Sequence, residues 1–165
     1  MNSVGIIGAG QMGAGIAQVS AAAGYRVFMS DVSLEVAEKA KADIGKRLSR
    51  LVEKEKMEAK AAETALGRIE PVGSFEPMAS AGLIIEAATE REEVKRTIFG
   101  EVGKVLGHKA VLASNTSSIP ITRLAQASPD PERFIGVHFF NPVPVMDLIE
   151  VIKGLATSAE TVETV

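Results

Sequence analysis

Three glycines close a short apolar run near the amino terminus, and they restrict the possible folds more than any other part of the chain. Val4-Gly5-Ile6-Ile7 leads into Gly8-Ala9-Gly10-Gln11-Met12-Gly13, after which Met12, Ile16 and Val19 recur with helical spacing. The pattern predicts a strand, a tight turn and a helix. Gly8 permits a sharp exit from the strand. Gly10 lets the backbone approach a pyrophosphate with no Cβ in the way, and Gly13 lets the helix pack closely on the sheet. An anion at such a turn faces free N–H groups and the positive end of the helix dipole. Glycine-rich turns are common, so the motif depends on its context.

That context is a second apolar stretch, Tyr25-Arg26-Val27-Phe28-Met29-Ser30, ending in Asp31. An acid roughly twenty residues beyond the glycines is placed to accept hydrogen bonds from an adenosine ribose. Its charge would repel a 2′-phosphate, so the expected cofactor is NAD rather than NADP. The competing reading makes Asp31 a turn residue ahead of Ser33.

The chain has 165 residues, enough for one ordinary domain, and its 46% hydrophobic and 24% charged content is that of a globular protein. A net charge of −3, with no basic tail, gives no attraction to nucleic acid. The absence of cysteine excludes disulfides and thiolate chemistry and fits a reducing compartment. No apolar run reaches the length of a membrane span, and the start lacks the basic and apolar regions of a signal peptide. The expectation is a cytoplasmic protein without processing and without membrane or nucleic-acid partners.

Beyond Asp31, Ser33 is a candidate N-cap with Glu35 in the first helical turn. Val36, Ala40, Ile44, Leu48 and Leu51 form an apolar stripe, and Lys46, Arg50 and Lys54 a basic one. The basic stripe is either a solvated face or a clamp for a phosphorylated substrate tail. A helical segment near Ala59 to Leu66 precedes a short strand, Ile69 to Val72, whose Pro71 and Gly73 argue against a central position. Ala81 to Ala88 reads as a strand covered on both faces, and from Glu90 a helix is expected to bury Val94, Ile98, Val102 and Val105. Ala110 to Ala113 is the next strand, followed by the polar loop Ser114 to Ser118 and a short helix from Pro120. Phe134 to Phe140 and Leu148 to Ile152 are two more strands, and Ser158 caps the start of a last helix. Alternating strands and helices predict an α/β fold: a Rossmann-like, doubly wound, mostly parallel sheet with flanking helices.

A nucleotide site does not by itself name a reaction. His138 and Glu150 interrupt two otherwise apolar strands, and burying either alone would be costly. Pairing them removes that cost. A carboxylate on one ring nitrogen fixes the tautomer and leaves the other nitrogen as an acid/base, which the oxidation of a secondary alcohol requires. Taken singly, His138 could equally be a core histidine and Glu150 a solvated strand-edge acid. Ser117, on the polar loop, could donate to a substrate oxygen. No GxSxG elbow surrounds it, which argues against a Ser-His-Glu hydrolase. No metal-ligand spacing accompanies the two histidines, and His108 reads as a loop residue.

These residues resemble the 3-hydroxyacyl-CoA dehydrogenases, in particular the bacterial 3-hydroxybutyryl-CoA dehydrogenases, over essentially the whole chain. The resemblance is carried by Gly8-Ala9-Gly10-Gln11-Met12-Gly13, Ala113-Ser114-Asn115-Thr116-Ser117-Ser118-Ile119 and Gly136-Val137-His138-Phe139-Phe140-Asn141-Pro142-Val143-Pro144-Val145-Met146. It implies reversible, NAD-linked oxidation of a (3S)-3-hydroxyacyl-CoA to the 3-ketoacyl-CoA. His138 would be the general acid/base, Glu150 its orienting partner and Ser117 a contact to substrate and cofactor. Gln11, Met12, Glu90, Lys95 and Asn141 would contact NAD, and Arg50 and Lys54 would hold the coenzyme A nucleotide. Asp147 stands where relatives usually carry a basic residue. The resemblance also implies an NAD-binding domain over 1–157, with 158–165 beginning a helix toward an all-helical C-terminal domain that this chain lacks. An acyl-CoA partner and a homo-oligomer are expected. The alternative is an isolated NAD-binding module with little turnover.

Overall fold

The computed structural model describes residues 1–165. Seven strands form one sheet: β1 (Ser3–Ile7), β2 (Arg26–Ser30), β3 (Ile69–Pro71), β4 (Leu83–Glu86), β5 (Val111–Ser114), β6 (Phe134–Phe139) and β7 (Ile149–Lys153). Their spatial order is β3-β2-β1-β4-β5-β6-β7, and all neighbours are parallel except β6 and β7. After β3 the chain crosses back over β1 to begin β4, so the winding reverses between β1 and β4. In a doubly wound sheet that reversal opens a crevice at the carboxyl ends of the strands, where ligands bind.

Six helices cover the sheet: α1 (Gln11–Ala22), α2 (Leu34–Glu53), α3 (Ala59–Gly67), α4 (Glu92–Val102), α5 (Ile121–Ala125) and α6 (Ala159–Thr164). Ile16 and Ala17 of α1, Ile44 and Leu48 of α2 and Ala65 of α3 are buried on one sheet face with Val4, Ile6, Val27 and Met29. Phe99 and Val102 of α4 and Leu124 of α5 are buried on the other with Ile7, Phe28, Ile84 and Phe134. The Phe99 and Phe134 rings meet edge to face with centroids 4.8 Å apart. Because both faces are covered, the interior strands carry continuous apolar runs rather than alternating ones, with polar residues at the carboxyl ends of β2, β4 and β5.

Ser33 accepts from the Val36 N–H, which starts α2 where its hydroxyl predicts, and Ser158 likewise accepts from Thr161 to start α6. β3 lies at the sheet edge, as Pro71 requires. Two stripes are shifted from expectation. On α2, Val36 is exposed and Ala37 takes the buried place, so the inward stripe runs Ala37, Ala40, Ile44 and Leu48. On α4, Lys95 and Phe99 point inward while Val94 and Ile98 are only half-buried. A lysine in that position requires a buried counter-charge, and β4 supplies one. No helix is long and apolar enough to cross a membrane.

Candidate active site

The glycine loop is built by close backbone approach. Gly8 has φ +103°, and a Cβ on it would lie 2.6 Å from the Ala87 carbonyl group. A Cβ on Gly13 would lie 1.7 Å from the Gly8 carbonyl oxygen, so α1 starts directly against the turn it follows. Around Gly10 the situation is reversed: nothing lies within 4 Å of where a Cβ would be. Gly10 is the N-cap of α1, no side chain caps the helix, and its first turn contains no acid. Open space over uncapped N–H groups at a helix start fits a dinucleotide pyrophosphate. The Asp31 carboxylate accepts from the Ala9 N–H at 2.5 Å and from the Val32 N–H at 2.7 Å, which fixes the acid at the rim of this loop.

At the carboxyl ends of β4 and β5 lies a polar network that the sequence reading missed in part. Glu86, fully buried, accepts from Lys95 Nζ at 2.6 Å, from the Ser114 hydroxyl at 2.9 Å and from the Ala88 N–H at 2.8 Å. Lys95 is 1% exposed, and its ammonium faces Glu86. Its link to the cleft is Glu90, whose Oε1 lies 3.8 Å from Nζ. Glu90 Oε2 accepts from the hydroxyls of Thr116 and Ser118 at 2.8 and 3.1 Å. Asn115 Oδ1 accepts from the Phe139 N–H at 2.8 Å, joining this loop to β6. The signal for Glu86 was available: an acid ending a wholly apolar strand needs a partner. Removing one member of such a buried pair costs about 3–5 kcal/mol.

His138 and Glu150 are register partners on the antiparallel pair β6 and β7. His138 Nδ1–H donates to Glu150 Oε2 at 2.8 Å. The pairing expected from sequence is present, although its premise needs correction. Glu150 is 53% exposed because β7 is an edge strand, so the pair does not rescue a buried acid. Ser117 and Glu150 line a cavity of about 530 Å³ together with Thr116 and Ile152. His108 sits exposed in a turn.

A second cavity, of about 390 Å³, lies between α1, α2 and the 141–145 segment. Gln11, Arg50 and Asn141 line it, as does Arg47, which the sequence reading passed over. Arg47 Nε donates to Gln18 at 3.0 Å, and its Nη2 is buried without a protein partner. The three-residue basic stripe divides here. Arg50 reaches the cavity and Lys54, at the end of α2, is outside its lining. Lys46 is engaged by Asp43 at 2.8 Å and holds that carboxyl below its usual range.

A glycine turn against an uncapped helix, an acid after the second strand and a crevice at the switch point define a dinucleotide-binding α/β domain. The 3-hydroxyacyl-CoA dehydrogenase NAD binding domain family matches residues 3–165, and the chain belongs to that family; its cofactor is NAD. It is 50% identical to the 3-hydroxybutyryl-CoA dehydrogenase of Bradyrhizobium diazoefficiens over 99% of its own length and 56% of that protein's. It is 46% identical to the 3-hydroxyadipyl-CoA dehydrogenase of Escherichia coli over 99% of its own length and 34% of that protein's. Among solved structures, the (S)-3-hydroxybutyryl-CoA dehydrogenase PaaH1 of Ralstonia eutropha superposes with a TM-score of 0.96 at 44% identity, covering 99% of this chain and 58% of that one. The chain therefore spans between a third and somewhat more than half of these relatives.

Proposed function

We propose that this chain carries the hydride-transfer half of an enzyme that oxidises a (3S)-3-hydroxyacyl-CoA, such as 3-hydroxybutyryl-CoA, to the 3-ketoacyl-CoA. The observation that supports the reading most directly is the 2.8 Å bond from His138 Nδ1–H to Glu150, made on the strand pair that Asn115 ties to the β5 loop. Donation to Glu150 leaves Nε2 of His138 as the proton acceptor. In the oxidative direction the 3-hydroxyl proton passes to Nε2 while the C3 hydrogen leaves as hydride, and Glu150 stabilises the imidazolium that results. NAD, when bound, supplies the hydride acceptor. Ser117 donates to the substrate oxygen, and Gln11, Met12, Glu90 and Asn141 line the cofactor's path. Lys95 acts through Glu90. Arg50 and Lys54, with Arg47 between them and α1, hold the phosphates of coenzyme A.

Asp31 takes the adenosine ribose and rejects a 2′-phosphate by charge. Asp31→Ala should reduce the preference for NADH over NADPH by about tenfold or more, the worth of one charge-assisted hydrogen bond together with the repulsion it replaces. Equal NADH and NADPH dissociation constants in the unaltered chain, or an unchanged ratio in the variant, would remove the ribose assignment.

The second reading, a binding module with little turnover, is favoured by how open the site is. Val145, Met146, Leu148 and Ile149 beside it are all exposed, and substrate orientation accounts for much of the rate in such reactions. We infer that the chain by itself binds NADH but reduces acetoacetyl-CoA at least about a hundredfold more slowly than a full-length relative. The same apolar edge supports self-association as a homo-oligomer. Steady-state assays beside NADH titration and sedimentation test both points: turnover at the relative's rate would refute the module reading, and a strictly monomeric boundary would refute the oligomer.

A further inference from the structure

We propose that Glu86 is a positioning residue for the nicotinamide half of the cofactor site. It touches no ligand. It sets the two loops that do. The inference rests on the NAD-binding reading and adds to it a residue buried beneath the cleft.

Both oxygens of the Glu86 carboxylate are committed. Oε1 accepts from the Ala88 N–H, and Oε2 accepts from Lys95 Nζ and the Ser114 hydroxyl. Ala88 opens the loop that carries Glu90, Lys95 lies one turn into α4, and Ser114 ends β5 immediately before Asn115, Thr116 and Ser117. One carboxylate thus ties the loop after β4, α4 and the end of β5 at a single point. The tie extends outward. Thr116 and Ser118 hold Glu90 from the β5 side, and Asn115 holds the backbone of Phe139, the residue after His138. In a doubly wound fold the first three strands serve the adenine nucleotide, and the strands beyond the switch point serve the other half. Every segment fixed by Glu86 belongs to that second half. Asp31 is held separately, by the N–H groups of Ala9 and Val32, and the boundary between the halves is the packing of Ala87 and Ala88 on Gly8.

Stability alone is a poor reason for this arrangement. A buried ion pair is often matched or exceeded by apolar residues of the same volume, and Ile84, Ile85, Leu112 and Ala113 show that the surrounding strands are otherwise apolar. What apolar residues could not do is hold two loops in one register through directed bonds. Glutamine would not substitute either. Its amide nitrogen would face the Lys95 ammonium or the Ala88 N–H, donor against donor.

The test uses the whole chain, the double variant Glu86→Gln with Lys95→Met, and the milder Ser114→Ala. The double variant removes both charges together, so neither is left unpaired. NADH binding is followed by nicotinamide fluorescence, AMP binding by calorimetry, and folding by thermal unfolding. The positioning role predicts AMP affinity within about twofold of the parent and an NADH dissociation constant raised about tenfold or more, the loss expected for hydrogen bonds to a charged group. Emission of the bound dihydronicotinamide should move toward that of the free cofactor. Ser114→Ala should shift NADH binding in the same direction and by less. Unchanged NADH affinity and emission in a folded double variant would overturn the proposal, as would parallel loss of AMP and NADH binding. If the double variant does not fold, Ser114→Ala decides: unchanged NADH binding with unchanged AMP binding overturns the role, and selective loss of NADH binding supports it. A parent chain that binds AMP but not NADH would overturn the cofactor-half assignment itself, a failure visible before any variant is made.

Discussion

His138→Asn should remove nearly all turnover while leaving NADH affinity within about twofold. Measured in a fusion to the C-terminal part of a relative such as the Bradyrhizobium enzyme, the reduction of acetoacetyl-CoA should slow by roughly a hundred- to ten-thousand-fold, the range for a positioned acid/base. Asparagine can still donate toward Glu150 from its amide but cannot accept and release a proton near neutral pH. The side chain of His138 is 17% exposed and packs beside Phe140, at 4.6 Å between ring centroids, so the smaller residue leaves a modest gap and no unpaired buried charge. Glu150→Gln should lower kcat by less, because Nδ1 keeps an acceptor while losing the charge that stabilises the imidazolium. Arg50→Ala with Lys54→Ala provides the contrast, raising KM for the acyl-CoA with kcat nearly unchanged, as expected when uniform binding is removed. Loss of NADH affinity together with turnover in His138→Asn would mean that His138 holds the fold and not the proton.

Gly13→Ala should have the largest effect on the fold itself. The added Cβ would lie 1.7 Å from the Gly8 carbonyl oxygen, a backbone atom in a turn already fixed by φ +103° and by contact with Ala87. Neither side can yield by rotating a side chain. α1 must move away from β1 or Gly8 must leave its conformation, and both displace the N–H groups that face the pyrophosphate. Destabilisation of about 3 kcal/mol or more is expected, the upper part of the range for overpacking, which lowers the melting temperature by roughly 6–12 °C in a domain of this size. NADH binding should be lost even below that temperature. Gly10→Ala is the control. Its Cβ meets no protein atom, so the melting temperature should hold while cofactor binding weakens, because the space it enters belongs to the ligand. A Gly13→Ala chain as stable as the parent would mean that the loop is looser than its contacts imply.

Glycine spacing, the acid after the second strand, the serine caps and the apolar runs were enough to state the doubly wound fold, because each is set by neighbours a few residues away. Pro71 was enough to put β3 at an edge. Where the reading slipped, the deciding partner was distant in sequence. Val94 and Ile98 look like the buried face of α4 until β4 brings Glu86 within 2.6 Å of Lys95, at which point a lysine becomes the residue that faces inward. Glu150, readable either as the partner of His138 or as a solvated strand-edge acid, is both once β7 is the outermost strand.

The sequence by itself determined the cofactor loop, the order of strands and helices, and the two residue types that an alcohol oxidation needs. Only the tertiary structure decided that His138 stands opposite Glu150, that Arg47 and Arg50 rather than Lys46 and Lys54 line the cavity beside α1, and that Lys95 serves Glu86 beneath the cleft. The division has one physical cause. Capping, turn geometry and periodicity act over a few bonds and are written locally, whereas a hydrogen bond between strands or a buried charge pair exists only once the sheet has assembled and set the register between segments remote along the chain.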